Sequence, residues 1–493
     1  MTEKNSEESY SHILKYTGIF GGVQGLNILI GLVRNKLVAI LLGPGGMGLA
    51  SLFNTTINFI SQATNLGISF SAVRHVSELF DSGDRQRIAH FVKVVRGWSL
   101  LTALAGMLVC IVVGPLLSRY TFSWGDHTLH FVLLAPTVAM IAVTGGETAI
   151  LKGARQLKSL AGIQIASVFA ALLISMPIYY FFGETGIVPV ITLMALAVML
   201  LTLRSSFRLF PYQVRGAKGI FGEGMEMVKL GVAFTLAGII GTGAEMFIRS
   251  FLNVSGNLDM LGLYNAGYML TVTYAGMVFS AMETDYFPRL SAVNQDIEAT
   301  NNVANQQMAV SLLIISPMLV VLIVWLPLLI PLMFSNAFLP VIEMAQTAAL
   351  AMYMRVLTLP VAYITLARGY SLSFLLLDGV YYVVFVLLMM AGFNHWGLLG
   401  AGVAITVAYV FDFLLVLGYA YWRYQYRMSP VVVRYAAFQI ALGVATYALT
   451  LWVSGVAYWL LGSLLMALSA GFSLYILKKK TNLWQSLMKK IKG

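Results

Sequence analysis

Residues 30–54 read IGLVRNKLVAILLGPGGMGLASLFN, and residues 244–268 read AEMFIRSFLNVSGNLDMLGLYNAGY. In each, a long apolar stretch carries one arginine, Arg34 or Arg249. A Gly-containing turn follows, and a Gly-Leu pair (Gly48-Leu49, Gly262-Leu263) opens the next apolar stretch, 14 and 13 residues beyond the arginine. The pattern predicts a membrane protein built from two similar halves, each with a cation inside it. A charge within the bilayer costs roughly 2.5–3.5 kcal/mol on insertion scales, so each such arginine needs a reason.

Composition agrees. Of 493 residues, 59% are hydrophobic and 10% are charged, against about 25% charged in a soluble domain. Apolar stretches of bilayer length recur along the chain, without the alternation of a membrane β-barrel. The predicted helices span 13–42, 47–73, 94–118, 129–151, 158–182, 187–208, 227–252, 260–288, 304–334, 339–366, 370–393, 397–422, 432–453 and 456–477. The fold class is therefore all-α and polytopic, with about fourteen transmembrane helices. The net charge of +11 does not suggest nucleic acid, because the basic residues sit in short loops. With fourteen helices, 26 of the 31 Lys and Arg fall on one side, and Arg119 alone falls in the opposite loops. The positive-inside rule then puts both termini in the cytoplasm. The polar first twelve residues argue against a cleaved signal peptide. The segment 77–91 carries an apolar stripe and is expected to lie in the headgroup region.

The repeat continues beyond the opening motif. Leu151-Lys152-Gly153 parallels Leu366-Ala367-Arg368-Gly369, and Gly186-Ile187 parallels Gly397-Leu398. Each half has six helices in the same orientation, giving parallel repeats, and two helices remain. The expected organisation is an N-terminal bundle at 1–208, a cytoplasmic connection at 209–226, a C-terminal bundle at 227–425, and two extra helices with a basic tail at 426–493. Transporters commonly bind substrate at such a repeat interface.

Several helices are too polar to face lipid all round. Ser51, Asn54, Asn58, Ser61, Asn65 and Ser69 form one stripe on helix 2. Gln24, Asn27, Gly31 and Arg34 share a face of helix 1, and Thr235, Thr242, Glu245 and Arg249 share one of helix 7. Helix 8 carries Tyr264, Tyr268, Thr271 and Tyr274. Such stripes either line a shared cavity or join helices to each other. The deepest charges are Arg355, Asp378 and Asp412 on helices 10 to 12. They form either a structural ion pair or a proton- or ion-coupling site. Glu245 either neutralises Arg249 or titrates during transport, and Glu147 is a further coupling candidate. No phosphate-binding loop, H-E-x-x-H or Cys/His cluster is present, so neither enzymatic chemistry nor a metal or other cofactor is expected. His127 and His130 read as surface histidines.

Arg34-x-Lys36, Gly43-Pro44-x-Gly46-x-Gly48-Leu49, Tyr286-Phe287-Pro288-Arg289-Leu290-Ser291 and Phe334-Ser335-Asn336-x-Phe338 together resemble the Wzx-type O-antigen translocases. These flippases of lipid-linked oligosaccharides share a superfamily with multidrug exporters and lipid II flippases. The resemblance spans roughly residues 10–425. It implies two six-helix bundles around a central cavity, with helices 13 and 14 peripheral. It implies an undecaprenyl-pyrophosphate-linked glycan as substrate, moved to the periplasmic leaflet of the bacterial inner membrane. Polysaccharide polymerase and chain-length proteins would be partners, with membrane lipids around the chain. The family's phosphate-receiving cations fit Arg34 and Arg249, and less directly Arg355. Asn27, Thr242, Asn54, Asn58 and Tyr268 would meet the sugars. A multidrug exporter, which would favour carboxylates in the first-half cavity, and a lipid II flippase are the alternatives. An integral-membrane polymerase or ligase would need larger outward loops.

Overall fold

Fifty-four consecutive helical residues, Ser371–Tyr424, would make a straight rod of about 81 Å, against a hydrocarbon core of about 30 Å. The rod is not straight. Gly397 has φ +58, outside helical space. Residues eight apart in a helix are about 12 Å apart. Here a Cβ on Gly400 would overlap the Gly392 carbonyl. The two arms therefore double back through one glycine, the residue for which positive φ is not strained. Lys158–Leu209 repeats the device over 52 residues, turning where Gly183 has φ +54.

The computed structural model describes the backbone of residues 3–82, 84–121, 126–212 and 220–480. Side chains are described over the same ranges except 3–28, 70, 81–82, 85, 157, 220–221, 226, 230, 232–234 and 280–285. The described residues are helical almost throughout: α1 Glu3–Thr64, α2 Ile68–Ser82, α3 Arg85–Thr121, α4 Thr128–Gly153, α5 Leu157–Phe182, α6 Ile187–Leu209, α7 Ile220–Ser255, α8 Leu258–Tyr268, α9 Tyr274–Ala292, α10 Ile297–Met333, α11 Ile342–Ala367, α12 Ser371–Tyr424, α13 Pro430–Trp452 and α14 Gly455–Lys480. α1 breaks at Gly43, where φ is +65. A π-helical turn, Met269–Thr273, joins α8 to α9 as one rod. With both arms of α1 and of α12 counted and α2 left aside, the described chain has fourteen crossing segments. This is a multi-pass membrane protein. Nine stretches of the described residues are long and apolar enough to cross a membrane; three of them, in α1, α5–α6 and α12, hold two crossing segments each, and α7 and the α8–α9 rod supply the other two.

The second predicted helix, 47–73, is corrected. It ends at Thr64, because Leu66 and Gly67 take φ +52 and +72. A Cβ on Gly67 would press on the Gly231 backbone, and one on Gly231 would press back, so both positions need glycine. Beyond the break, α2 is a separate helix of 15 residues, about 22 Å long. Its apolar face (Ile68, Ala72, Val76) joins a buried cluster with Val92, Val95, Trp98 and Met227. The predicted interfacial segment 77–91 is thus divided between α2 and α3. α3 starts early because Asp84 Oδ1 accepts from the amides of Gln86 and Arg87 at 3.0 and 3.1 Å, a helix N-cap.

The chain divides into two compact units, Leu29–Gly262 and Leu263–Gly493 with Met1–Ile28. In the first, α3 packs on α4, α4 on α6, and α7 on α2 and α3. In the second, α11 packs on both α12 and α10, and α10 carries α13 and α14. The predicted connection at 209–226 falls partly on 213–219, and the basic tail partly on 481–493, outside the described residues.

Candidate functional site

The first group lies in Leu29–Gly262. Arg249, on α7, is 6% exposed. Its Nη1 donates to Glu245 Oε2 at 3.0 Å, one turn earlier. Its Nε donates to Ser51 Oγ at 3.1 Å, on the second arm of α1. The guanidinium thus links the arginine helix to the polar stripe. Glu245 is the more open partner, its side chain 38% exposed.

Arg34 is partly buried on the first arm of α1, with Nη2 3.6 Å from Met194 Sδ on α6. The two arginines occupy equivalent places in sequence but meet different neighbours. Thr242 donates its hydroxyl to Gly238 O within its own helix at 2.7 Å. Asn54 is exposed and donates to Ala50 O at 2.8 Å, and Asn58 is exposed as well. The side chain of Asn27 lies outside the described residues.

Glu147 sits elsewhere in the same unit, 3% exposed on α4. It accepts from Arg96 Nε at 2.8 Å and Arg96 Nη2 at 3.3 Å. Ser206 Oγ donates at 2.5 Å to Oε2, the oxygen that also accepts from Arg96 Nη2. Arg96 also donates to Phe210 O at 2.9 Å and lies 4.6 Å from the centre of the Phe207 ring. Glu147 is thus held in a closed ion pair that fastens α3, α4 and α6. In sequence Arg96 stands at the start of the predicted helix 94–118 and counts among the 26 cations of the basic side. Its 51-residue separation from Glu147 offers no local signal.

The second group lies in Leu263–Gly493. Arg355, Asp378 and Asp412 line one cavity of about 100 Å³, with Tyr363 and Phe374. Nothing in the spacing of Tyr363 and Phe374 marks these two rings in advance. Arg355 lies 5.7 Å from the centre of the Tyr409 ring. Among the described residues it closes no ion pair with either carboxylate; of the two readings left open by the sequence, a structural ion pair or a coupling site, the shared cavity leaves the second. Tyr268 is half-buried, its ring 5.7 Å from that of Tyr264. It immediately precedes the π-turn. Such turns often mark functional positions.

These features define a polytopic helical membrane protein with buried cations and carboxylates and no metal-binding group of three or more ligands among the described residues. Its fold is that of the MOP superfamily of transporters. The solved structure of a multidrug resistance MATE family transporter in the inward-facing conformation matches with a TM-score of 0.69 at 14% identity, covering 81% of this chain and 94% of that one. Lipid II flippase MurJ in an inward closed conformation matches at 0.69 and 13% identity, covering 94% and 99%.

The chain belongs to the polysaccharide biosynthesis protein family, whose sequence profile matches residues 37–343. Among characterised relatives, it is 24% identical over 415 residues to the lipid III flippases of Escherichia coli (strain K12) and Shigella flexneri. The match covers 80% of this chain and 94% of theirs.

Proposed function

We propose that this protein is a flippase. It moves an undecaprenyl-pyrophosphate-linked oligosaccharide from the cytoplasmic to the periplasmic leaflet of a bacterial inner membrane, for an O-antigen-like surface polysaccharide. The near full-length similarity to lipid III flippases supports the substrate class. The observation that carries the reading is Arg249, a buried guanidinium whose partners include the half-open Glu245 carboxylate and the Ser51 hydroxyl. A diphosphate cannot cross about 30 Å of hydrocarbon bare. Guanidinium groups chelate phosphate oxygens bidentately, and a phosphate can take the place that Glu245 holds. Arg34 supplies a second cation. Exposed amides on a membrane-crossing helix favour water over lipid, so Asn54 and Asn58 suit a hydrated sugar path. Thr242, Asn27 and the ring of Tyr268 are the further groups whose chemistry suits sugars.

Movement is by alternating access, with the repeats 1–208 and 227–425 as the moving bodies, 209–226 joining them and 426–493 peripheral. Both termini are cytoplasmic, on the side of the 26 basic residues. The Asp378–Arg355–Asp412 cavity supplies the coupling site. One guanidinium and two ionised carboxylates leave one negative charge, which a proton or a metal cation balances. Polysaccharide polymerase and chain-length proteins are the downstream partners.

The test is depletion in the native cell, with a membrane-impermeant probe reporting the leaflet of the lipid-linked glycan. Accumulation on the cytoplasmic side is the expected result. Normal arrival in the outer leaflet refutes the reading.

A further inference from the structure

At one end of the Leu263–Gly493 unit, four side chains alternate cation, ring, ring, cation. The Arg423 guanidinium lies 5.2 Å from the centre of the Tyr370 ring. Tyr370 stacks on Tyr424, centroids 6.0 Å apart and planes at 27°. The Arg368 guanidinium lies 5.0 Å from the Tyr424 ring. The local sequence explains the convergence. Gly369, at φ +79, turns the chain from α11 into α12 within three residues. Tyr370 then occupies the N-cap of α12 without a side-chain cap. The first amides of α12 are therefore presented at the same end, a favourable place for an anion.

Arg368 is the informative member. Its Nε and Nη2 are buried and, among the described residues, have no hydrogen-bond partner. Unsatisfied buried donors on a charged group are costly. Arg96 is the satisfied counterpart: it sits on the Phe207 ring as Arg368 sits on Tyr424, but Glu147 takes its donors. Arg368 has the aromatic seat and lacks the carboxylate. Among the described residues no carboxylate takes these donors, which leaves them for an anion from outside the chain.

We propose that Arg368 and Arg423, with Tyr370 and Tyr424, bind the phosphate of an anionic phospholipid. The site is distinct from the Arg355 cavity, with which it shares no lining residue. Its placement in the cytoplasmic leaflet rests on the orientation proposed above. Tyr370 is 43% exposed and Leu372, two residues on, is 67% exposed. They give a ring at headgroup level beside an apolar surface for the glycerol and acyl chains. Basic pockets at helix ends are a known mode of anionic lipid recognition.

The experiment uses the purified full-length protein and native mass spectrometry, with equimolar phosphatidylglycerol and phosphatidylcholine. The wild type retains phosphatidylglycerol in preference. Arg368→Gln and Arg423→Gln each weaken that retention at least about fivefold. Arg423 is exposed, so its variant guards against a folding defect in the other. Arg87→Gln, an exposed change in the other unit, leaves retention unchanged. No preference in the wild type, or full retention in the double variant, overturns the proposal. Displacement by millimolar inorganic phosphate assigns a soluble anion and overturns the lipid part. Preference for undecaprenyl pyrophosphate over phosphatidylglycerol puts the cluster in the substrate path and overturns the assignment to bulk lipid. Binding is read without transport, so a failed flippase reading and a failed lipid site are separable.

Discussion

Replacing Glu147 with alanine separates a structural clamp from an ion-coupling group. The carboxylate accepts two bonds from Arg96 and one from Ser206. The two side chains are 11% and 4% exposed, so water has little access to replace what is lost. Removing one partner of a buried ion pair costs about 3–5 kcal/mol. Phe210 O continues to accept from Arg96, which puts the expected loss near the lower end, ~3 kcal/mol. Replacing both partners by apolar residues of similar volume removes the stranded charge. Arg96→Met/Glu147→Leu is therefore expected to be close to wild type, with a coupling energy of roughly 2–3 kcal/mol across the cycle. The assay is reversible unfolding in bicelles. Tryptophan fluorescence reports it, since Trp98 lies in the adjacent buried cluster. A Glu147→Ala variant that loses less than about 0.5 kcal/mol, while its transport changes ion dependence, would refute the clamp. Glu147 would then join the coupling groups.

Arg249→Ala is expected to abolish glycan transport while the protein still reaches the membrane. Arg249→Lys, which keeps the charge but loses the fork, should lower the rate roughly tenfold to a hundredfold. Normal transport by Arg249→Ala removes the phosphate-receiving role. Asp378→Asn and Asp412→Asn should each alter the proton or sodium dependence of transport in vesicles; unchanged dependence in both excludes the cavity as the coupling site. Gly262→Ala drives a methyl into the Pro44 carbonyl. It should cost about 1–3 kcal/mol in thermal unfolding, whereas Gly418→Ala, with open space around it, should not destabilise.

The helix reversals were legible because they depend on one residue type at one place. Gly183 and Gly397 interrupt apolar stretches too long for one crossing, and the chain turns at both. Arg249 was legible for the same local reason: a cation in a bilayer-length apolar run, with Glu245 one turn away. The break at Leu66–Gly67 was hidden. Apolar residues continue through Ile68-Ser69-Phe70, and what demands the break is Gly231, far away in sequence. Arg96 was readable as one more cation of the basic side but not as a buried partner, because Glu147 is on another helix. The clustering of Arg355 with Asp378 and Asp412 was readable as three charges, but not as one cavity. Which carboxylate meets which cation depends on the packing of α11 against α12, which hydropathy does not encode.

The one-glycine reversal at Gly397 also bears on how the chain enters the bilayer. Its two arms carry Asp378 and Asp412, each expensive to expose to hydrocarbon alone. With Gly392 and Gly400 in backbone contact across the turn, neither arm has slack to wait on one side while the other crosses. Biogenesis must deliver α12 as a hairpin, both carboxylates together, and they reach shelter only when α11 with Arg355 is already beside them.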